Sequence, residues 1–172
     1  MKRSVICQVH GWESTDGAPC PKCKLFGLGV RPSITFTVHG KSVPKGSTRA
    51  FMPKGGKFPV ITSTSGKNLK HWEGTIRGEL QVVMAKTDRQ VLSDMFDAPV
   101  AVGLRFYMPR PKSKKKAIYP TTKPDIDKLA RAALDALSTV VFRDDAQVIA
   151  LQARKVYADA GAKLVITIEN WS

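Results

Sequence analysis

One predicted helix, together with the carboxylates at its two ends, constrains the fold of this chain most. Leucine and alanine residues recur at helical spacing over residues 127–138, which predicts an amphipathic helix lying against a sheet. Asp125 and Asp127 stand at its start, and Asp144 and Asp145 follow shortly after its end. A strand is predicted directly after this second pair, so the chain must reverse direction soon after the helix if that strand joins the same sheet.

Alternation of apolar and polar residues at period two, and short apolar runs between turn-forming residues, predict the strands. Four segments qualify: residues 33–38, 99–108, 148–157 and 163–168. A longer helix is predicted over residues 68–92, although Gly74 and Gly78 weaken it. Turn-forming residues predict a hairpin around Gly55 and Gly56. The fold class is therefore α/β, of the α+β kind, with a mixed sheet covered by two main helices.

The charge of the chain indicates a polyanionic partner. Lys and Arg number 28 against 14 Asp and Glu, which gives a formal charge of +14. Nucleic acid is the first candidate; an anionic membrane, a heparin-like chain, or a merely soluble basic or ribosomal protein are the alternatives. No run approaches the ~18 apolar residues of a membrane span, and the N-terminus lacks the apolar core of a secretory signal. The sequence therefore predicts a cytoplasmic protein with no membrane partner.

The four carboxylates indicate divalent-metal chemistry, because concentrated acid in a basic chain is electrostatically costly unless a cation offsets it. Asp127 is placed to cap the predicted helix, and Asp125 would lie just outside its positive end. A return of the chain could bring Asp145 beside them, and such a cluster would bind Mg²⁺ through oxygen ligands and act on phosphodiesters. The alternative for each residue alone is a helix cap at Asp127 and a solvated turn at Asp144 and Asp145.

Three stretches of this sequence form a recognisable pattern: Lys-Pro-Asp-Ile-Asp at residues 123–127, Leu-Asp-Ala-Leu at residues 134–137 and Phe-Arg-Asp-Asp-Ala-Gln-Val at residues 142–148. Together they resemble the signature of the RusA-type Holliday junction resolvases, which are common in phages and prophages. The resemblance is dense over residues 123–157 and looser over residues 34–46, and it does not extend to residues 1–30. Two Asp pairs at this spacing around an Asp-Ala-Leu helix form a specific signal.

The resemblance implies a homodimeric, Mg²⁺-dependent endonuclease that resolves four-way DNA junctions by paired symmetric nicks, in recombination or repair, in a bacterial or phage-infected cell. It implies that Asp125, Asp127 and Asp145 bind Mg²⁺ and are catalytic. Arg131 stands where the family usually has Lys, and Lys128 stands where it usually has Asn. Since Arg is practically never a proton donor, Arg131 is expected to stabilise charge at the phosphate. Lys128 adds charge beside the metal ligands or competes with the metal.

Further cations are expected to contact phosphates, because they flank the acidic segment or lie in basic loops. The predicted DNA-binding residues are Lys45, Arg110, Lys112, Lys114, Lys115, Lys116, Lys128 and Lys155. A solvated loop is the alternative for this group. Asp135, four residues after Arg131, is expected to orient that side chain through an i,i+4 pair.

The N-terminal residues predict a second metal site. Cys7 and His10 form C-x₂-H, and Cys20 and Cys23 form C-x₂-C, which suits a closed, structural Zn²⁺ site. The predicted organisation is a zinc knuckle over residues 1–30 followed by an endonuclease domain over residues 31–172. The alternative is a coincidental Cys pair in a tail.

Two other functions remain open on this sequence. One is a non-enzymatic, zinc-containing nucleic-acid-binding protein, in which the acidic residues are only helix caps. The other is a nuclease that prefers flaps or forks to four-way junctions.

Overall fold

The computed structural model describes residues 5–7, 12–14, 31–46, 48–63, 66–114, 117 and 119–171, with side chains described from residue 31 except at 47–49, 61–65, 114–116 and 118. The chain divides into two compact units, Met1–Pro32 and Ser33–Ser172. In the first unit, strands β1 (Val5–Cys7) and β2 (Trp12–Ser14) pair antiparallel. Within the described residues, no helix is long and apolar enough to cross a membrane.

The second unit is built on a four-stranded mixed sheet. Its strands, in chain order, are β3 (Ser33–His39), β6 (Val100–Met108), β7 (Val148–Tyr157) and β8 (Lys163–Asn170). Their spatial order is β3-β8-β6-β7, with β8 antiparallel to β3 and β6, and β7 parallel to β6. All four predicted strands are confirmed. Strand β7 therefore lies at one edge of the sheet.

Three helices of the described chain accompany this sheet. They are α1 (Gly66–Met84), α2 (Arg89–Phe96) and α3 (Ile126–Leu137). Helix α3 lies in the crossover between the parallel strands β6 and β7, so it runs opposite to both. Short 3₁₀ turns at Lys112–Lys114 and Asp145–Gln147 precede α3 and β7.

The core lies between the helices and one face of the sheet. Every second residue of β6 is buried, from Val100 to Met108, because successive strand side chains point to opposite faces. Helix α1 buries Trp72, Ile76 and Leu80 against this face. Alanines on the buried side of α3 permit close packing, and full burial of a residue such as Phe106 stabilises the fold by about 1.5–3 kcal/mol.

The predicted helix over residues 68–92 is wrong in its extent, because the chain breaks it into α1 and α2. After α1 ends, the Thr87 hydroxyl donates to the backbone carbonyl of Val83 at 2.9 Å. Asp88 then caps α2 by accepting from the backbone N–H of Gln90 at 2.7 Å. An Asp cap favours a new helix start over continuation of the old one. The sheet is thus accompanied by three helices, not two main ones.

The predicted hairpin around Gly55 and Gly56 is confirmed. Strands β4 (Thr48–Phe51) and β5 (Val60–Ser63) pair antiparallel and form a two-stranded sheet of their own. The Gly56 N–H donates to the Pro53 carbonyl at 2.8 Å in the turn.

Candidate active site

The N-terminus of α3 displays two carboxylates. Asp125 occupies the N-cap position in extended geometry, yet its side chain makes no capping hydrogen bond. Asp127 lies in the first helical turn and is exposed. The expectation that Asp127 caps the helix is therefore wrong by two residues, because the first helical bond runs from the Leu129 N–H to the Asp125 carbonyl at 3.2 Å. Both carboxylates lie at the positive end of the helix. Their oxygens accept no capping hydrogen bond from the described backbone, so they remain available to a ligand.

Lys128 partners one of these carboxylates. Its ammonium lies 3.2 Å from Asp125 Oδ2, across one helical turn. The two side chains are 39% and 45% exposed, so solvent screens the pair and it contributes about 0–1 kcal/mol. A divalent cation can displace so weak a partner. Of the two roles expected for Lys128, this geometry favours competition with a metal at Asp125.

Lys155 fastens the segment that leads into α3. From β7 its ammonium donates to the Pro124 carbonyl at 2.9 Å and to the Thr122 carbonyl at 3.1 Å. Two of its three donors are thus used within the chain, which leaves one for any phosphate. The backbone just before Asp125 is thereby tied to the sheet, a role that no local sequence pattern indicated.

Lys45 ties a second segment to α3. Its ammonium forms an ion pair with Asp135, and its backbone N–H donates to the Lys128 carbonyl at 2.9 Å. The expected partner of Asp135 was Arg131, one helical turn away. Among the described residues its ion-pair partner is Lys45, so Arg131 is not oriented by this carboxylate. Arg131 is exposed, four residues after Asp127 on α3.

Arg77 of α1 is a positioning residue that the sequence did not reveal. Its guanidinium donates to the Ala136 carbonyl at 3.2 Å and to the Asp135 carbonyl at 3.1 Å. These are carbonyls of the last turn of α3, where cations are favourable and backbone partners are missing. A basic residue in a helix carries no pattern that identifies such a distant partner.

The second acidic pair lies at the other end of α3. Asp144 caps the 3₁₀ turn, accepting from the Ala146 N–H at 2.8 Å, while Gln147 Oε1 accepts from the Asp144 N–H at 3.0 Å. The Gln147 side-chain amide also donates to the Phe96 and Ala98 carbonyls, each at 3.0 Å. Asp145 is exposed and begins the 3₁₀ turn that precedes β7.

The expectation that the return of the chain brings Asp145 beside Asp125 and Asp127 is not met within one chain. Helix α3 has 12 residues and is about 18 Å long at 1.5 Å per residue. Asp125 precedes its first residue, whereas the segment that leads to Asp145 begins after its last residue. In the part of the chain that the structure describes, no three His, Cys, Asp or Glu side chains lie close enough to hold a metal. The donor chemistry of Asp125 and Asp127 nevertheless fits Mg²⁺, which prefers one or two carboxylates with water and phosphate oxygens.

The basic loop after β6 is partly described. The Arg110 guanidinium donates to the Ala117 carbonyl, lies 3.2 Å from Asp159 Oδ1 and stacks 5.3 Å from the Tyr157 ring centroid. Lys112 is exposed in the 3₁₀ turn. Lys115 and Lys116, together with the side chain of Lys114, fall outside the described residues, so their expected DNA contacts stay predictions.

A scan against protein-family models matches residues 42–169 to the model described as endodeoxyribonuclease RusA. The chain belongs to the RusA family. The match spans most of the chain, including both acidic pairs and every element from α1 to β8. RusA proteins are endodeoxyribonucleases that resolve Holliday junctions, so the predicted family and its class of activity are confirmed at this level.

A curated relative of this RusA-family chain is the protein YqaN of Bacillus subtilis (strain 168), which carries the description "uncharacterized". It is 28% identical over 137 residues, which covers 73% of this chain and 89% of YqaN.

The predicted zinc ligands are largely outside the described residues. Cys7 ends β1 and pairs in register with Trp12 of β2. His10, Cys20 and Cys23 are not described, and neither is the Cys7 side chain. The zinc knuckle therefore stays a prediction.

Proposed function

We propose that this chain is a Mg²⁺-dependent, structure-specific DNA endonuclease that resolves four-way junctions by paired symmetric nicks in recombination or repair. The observation that carries the proposal is the membership of the RusA family combined with two uncapped carboxylates at the N-terminus of α3. A chain of charge +14 favours a phosphate backbone as its partner.

Different side chains of this protein would have different roles around the scissile phosphate. Asp125 and Asp127 would hold Mg²⁺, which supplies Lewis-acid chemistry at phosphoryl oxygens when bound. Arg131, exposed four residues after Asp127, offers a fixed positive charge to the phosphate and no proton. Lys155 and Lys45 keep the segments on either side of these carboxylates in place.

A homodimer would explain how Asp145 takes part in the metal site. Because Asp145 lies at the far end of α3 from Asp125 and Asp127, it joins them only if a second copy supplies it. Strand β7 is an edge strand, and Ile149 and Leu151 on it are 56% and 47% exposed. Antiparallel pairing of β7 with its copy would place Asp145 of one chain level with the end of β7 in the other, near the Lys155–Pro124 contact. Each of the two metal sites would then be composite.

The decisive experiment is a nicking assay on a synthetic four-way junction, with Mg²⁺ and with EDTA. We expect symmetric nicks with Mg²⁺ only, and we expect Asp125→Asn and Asp127→Asn to abolish them while junction binding persists. Asp94→Asn, which alters an exposed carboxylate on α2, is the matched control and should cut normally. Undiminished cutting by both active-site variants would refute the assignment.

The same assay separates the two rival functions. Junction binding without cleavage in Mg²⁺ would favour a non-enzymatic binding protein. Faster cleavage of flaps or forks than of four-way junctions, at equal salt, would make those branched structures the substrate.

We propose in addition that residues 1–30 hold a structural Zn²⁺ through Cys7, His10, Cys20 and Cys23. The antiparallel pairing of β1 and β2 supports it, because the four residues that connect these strands include His10. Protein purified under reducing conditions without chelators should contain one zinc per chain, and Cys20→Ser with Cys23→Ser should remove it. Zinc-free protein from such a preparation would rule the site out.

A further inference from the structure

The β4–β5 hairpin is set apart from the rest of the second unit. It pairs only with itself, with Phe51 opposite Val60 in register, and within the described residues neither strand joins the four-stranded sheet. Residues 52–59 connect the two strands. Within this connection Gly55 has a φ of 83°, with open space where a Cβ would stand.

The hairpin exposes an unusual amount of apolar surface. Ten large apolar side chains are exposed among the described residues, and four of them lie within residues 51–60. These are Phe51 at 51%, Met52 at 61%, Phe58 at 78% and Val60 at 42%. Scattered exposed apolar residues need no explanation, but four of them within ten residues of one hairpin indicate an interaction surface.

The charged residues that neighbour these side chains in the sequence are of one sign. Lys54 and Lys57 flank the turn, and the sequence has no Asp or Glu between Asp16 and Glu73. Aromatic residues interleaved with lysines, in a stretch of sequence without carboxylates, match the composition of surfaces that hold unpaired nucleotides. In such surfaces the cations contact phosphates and the rings stack on bases. A protein partner would need a strongly acidic surface to tolerate the same cations.

We propose that the β4–β5 hairpin is a DNA-binding element that stacks Phe58 on an unstacked base at the branch point of the substrate. Phe58 is the most exposed large apolar residue of the hairpin, so its ring is available without any rearrangement of the fold. A continuous duplex hides the faces of its bases, whereas a branch point interrupts the stack and exposes them. The hairpin therefore distinguishes branched from linear DNA. This inference rests on the proposed DNA substrate but not on cleavage.

The test measures binding in EDTA, where no cutting occurs, with the full-length protein. The probes are a four-way junction with 2-aminopurine at the branch point and a linear duplex of the same sequence. Phe58→Ala should weaken junction binding about tenfold, leave duplex binding unchanged and abolish the fluorescence change of the probe. Phe58→Trp should retain all three properties. Val82→Ala, which trims another exposed apolar side chain on α1, should behave as the unaltered protein.

Several outcomes would overturn the proposal. Unchanged junction binding by Phe58→Ala removes it, and equal weakening on junction and duplex shows a general contact in place of branch recognition. A change of oligomeric state in Phe58→Ala, measured by light scattering, would make the hairpin a protein interface. Junction nicking by the unaltered protein is scored separately: if it persists while Phe58→Ala binds normally, only the hairpin inference fails. If the unaltered protein neither prefers nor cuts junctions, the proposed function fails as well.

Discussion

The Lys155 ammonium lies 2.9 Å from the carbonyl oxygen of Pro124, the residue immediately before Asp125. This contact joins the edge strand β7 to the start of α3, across 31 residues of sequence. It means that the position of the first candidate metal ligand depends on a lysine ten residues after Asp145, on the strand that Asp145 precedes.

Replacing Lys155 with Met should slow junction cleavage about tenfold. The substitution removes two hydrogen bonds to backbone carbonyls, each worth roughly 1 kcal/mol, so the segment before Asp125 is held less firmly. Single-turnover cleavage and the salt dependence of junction binding would be measured together. Arg154→Met, on the neighbouring exposed residue of β7, is the matched control. A reduced salt slope with an unchanged cleavage rate would show instead that Lys155 is a phosphate contact.

Replacing Lys128 with Asn should tighten Mg²⁺ binding a few-fold, because the metal no longer has to displace the ammonium 3.2 Å from Asp125. Isothermal titration of the DNA-free protein with Mg²⁺ checks this without relying on activity. Lys123→Asn removes an exposed lysine close to the same segment and should change the affinity less. Weaker Mg²⁺ binding by Lys128→Asn would contradict the competition.

Mixing two inactive variants tests the composite site. Asp127→Asn chains and Asp145→Asn chains should each fail to cut, yet their heterodimer should regain one intact site, built from Asp125 and Asp127 of one chain and Asp145 of the other. Nicking of single strands should therefore reappear on mixing. Half of the sites in each heterodimer are intact, which after random exchange of equal amounts is about a quarter of all sites. No recovery after confirmed subunit exchange would place all three carboxylates of a site in one chain.

Replacing Leu151 with Lys should weaken the proposed dimer, because each copy would then carry a new positive charge on the exposed apolar part of the β7 edge. Sedimentation at several concentrations measures the shift towards monomer. Val82→Lys alters a comparably exposed residue on α1 and should leave the association unchanged. A dimer that resists Leu151→Lys uses another surface.

Arg131→Ala should lower the cleavage rate about a hundredfold, the usual cost of losing a charge that stabilises the transition state, while junction binding falls little. Arg131→Lys should restore most of the rate, because it keeps the charge at a position where the family usually has Lys. Single-turnover rates at saturating protein separate the two effects. Equal rates for Arg131→Ala and the unaltered protein would assign the residue no part in the chemistry.

The local sequence pattern was sufficient to identify an element where neighbouring residues alone determine its structure. The alternation of Ile34, Phe36 and Val38 identified β3, because a strand with one buried face must repeat every two residues. The same periodicity argument failed over residues 68–92, where apolar spacing continues past Met84 but Asp88 competes for the backbone as a cap. Helix boundaries depend on such single contacts, which periodicity does not register.

The sequence by itself determined the strands, the helix that carries Asp125 and Asp127, the basic character and, through its acidic motifs, the RusA family. Only the tertiary structure decided where the carboxylates lie in space. A helix that connects parallel strands must run back along the sheet, so the residues before and after it reach opposite ends of the strands. Asp125 and Asp145 are close in the motif but are separated by the whole of α3 in the fold. The contact of Lys155 with Pro124 joins the two ends of that crossover. The contact of Lys45 with Asp135 depends on the packing of the segment after β3 against α3, which local sequence does not determine.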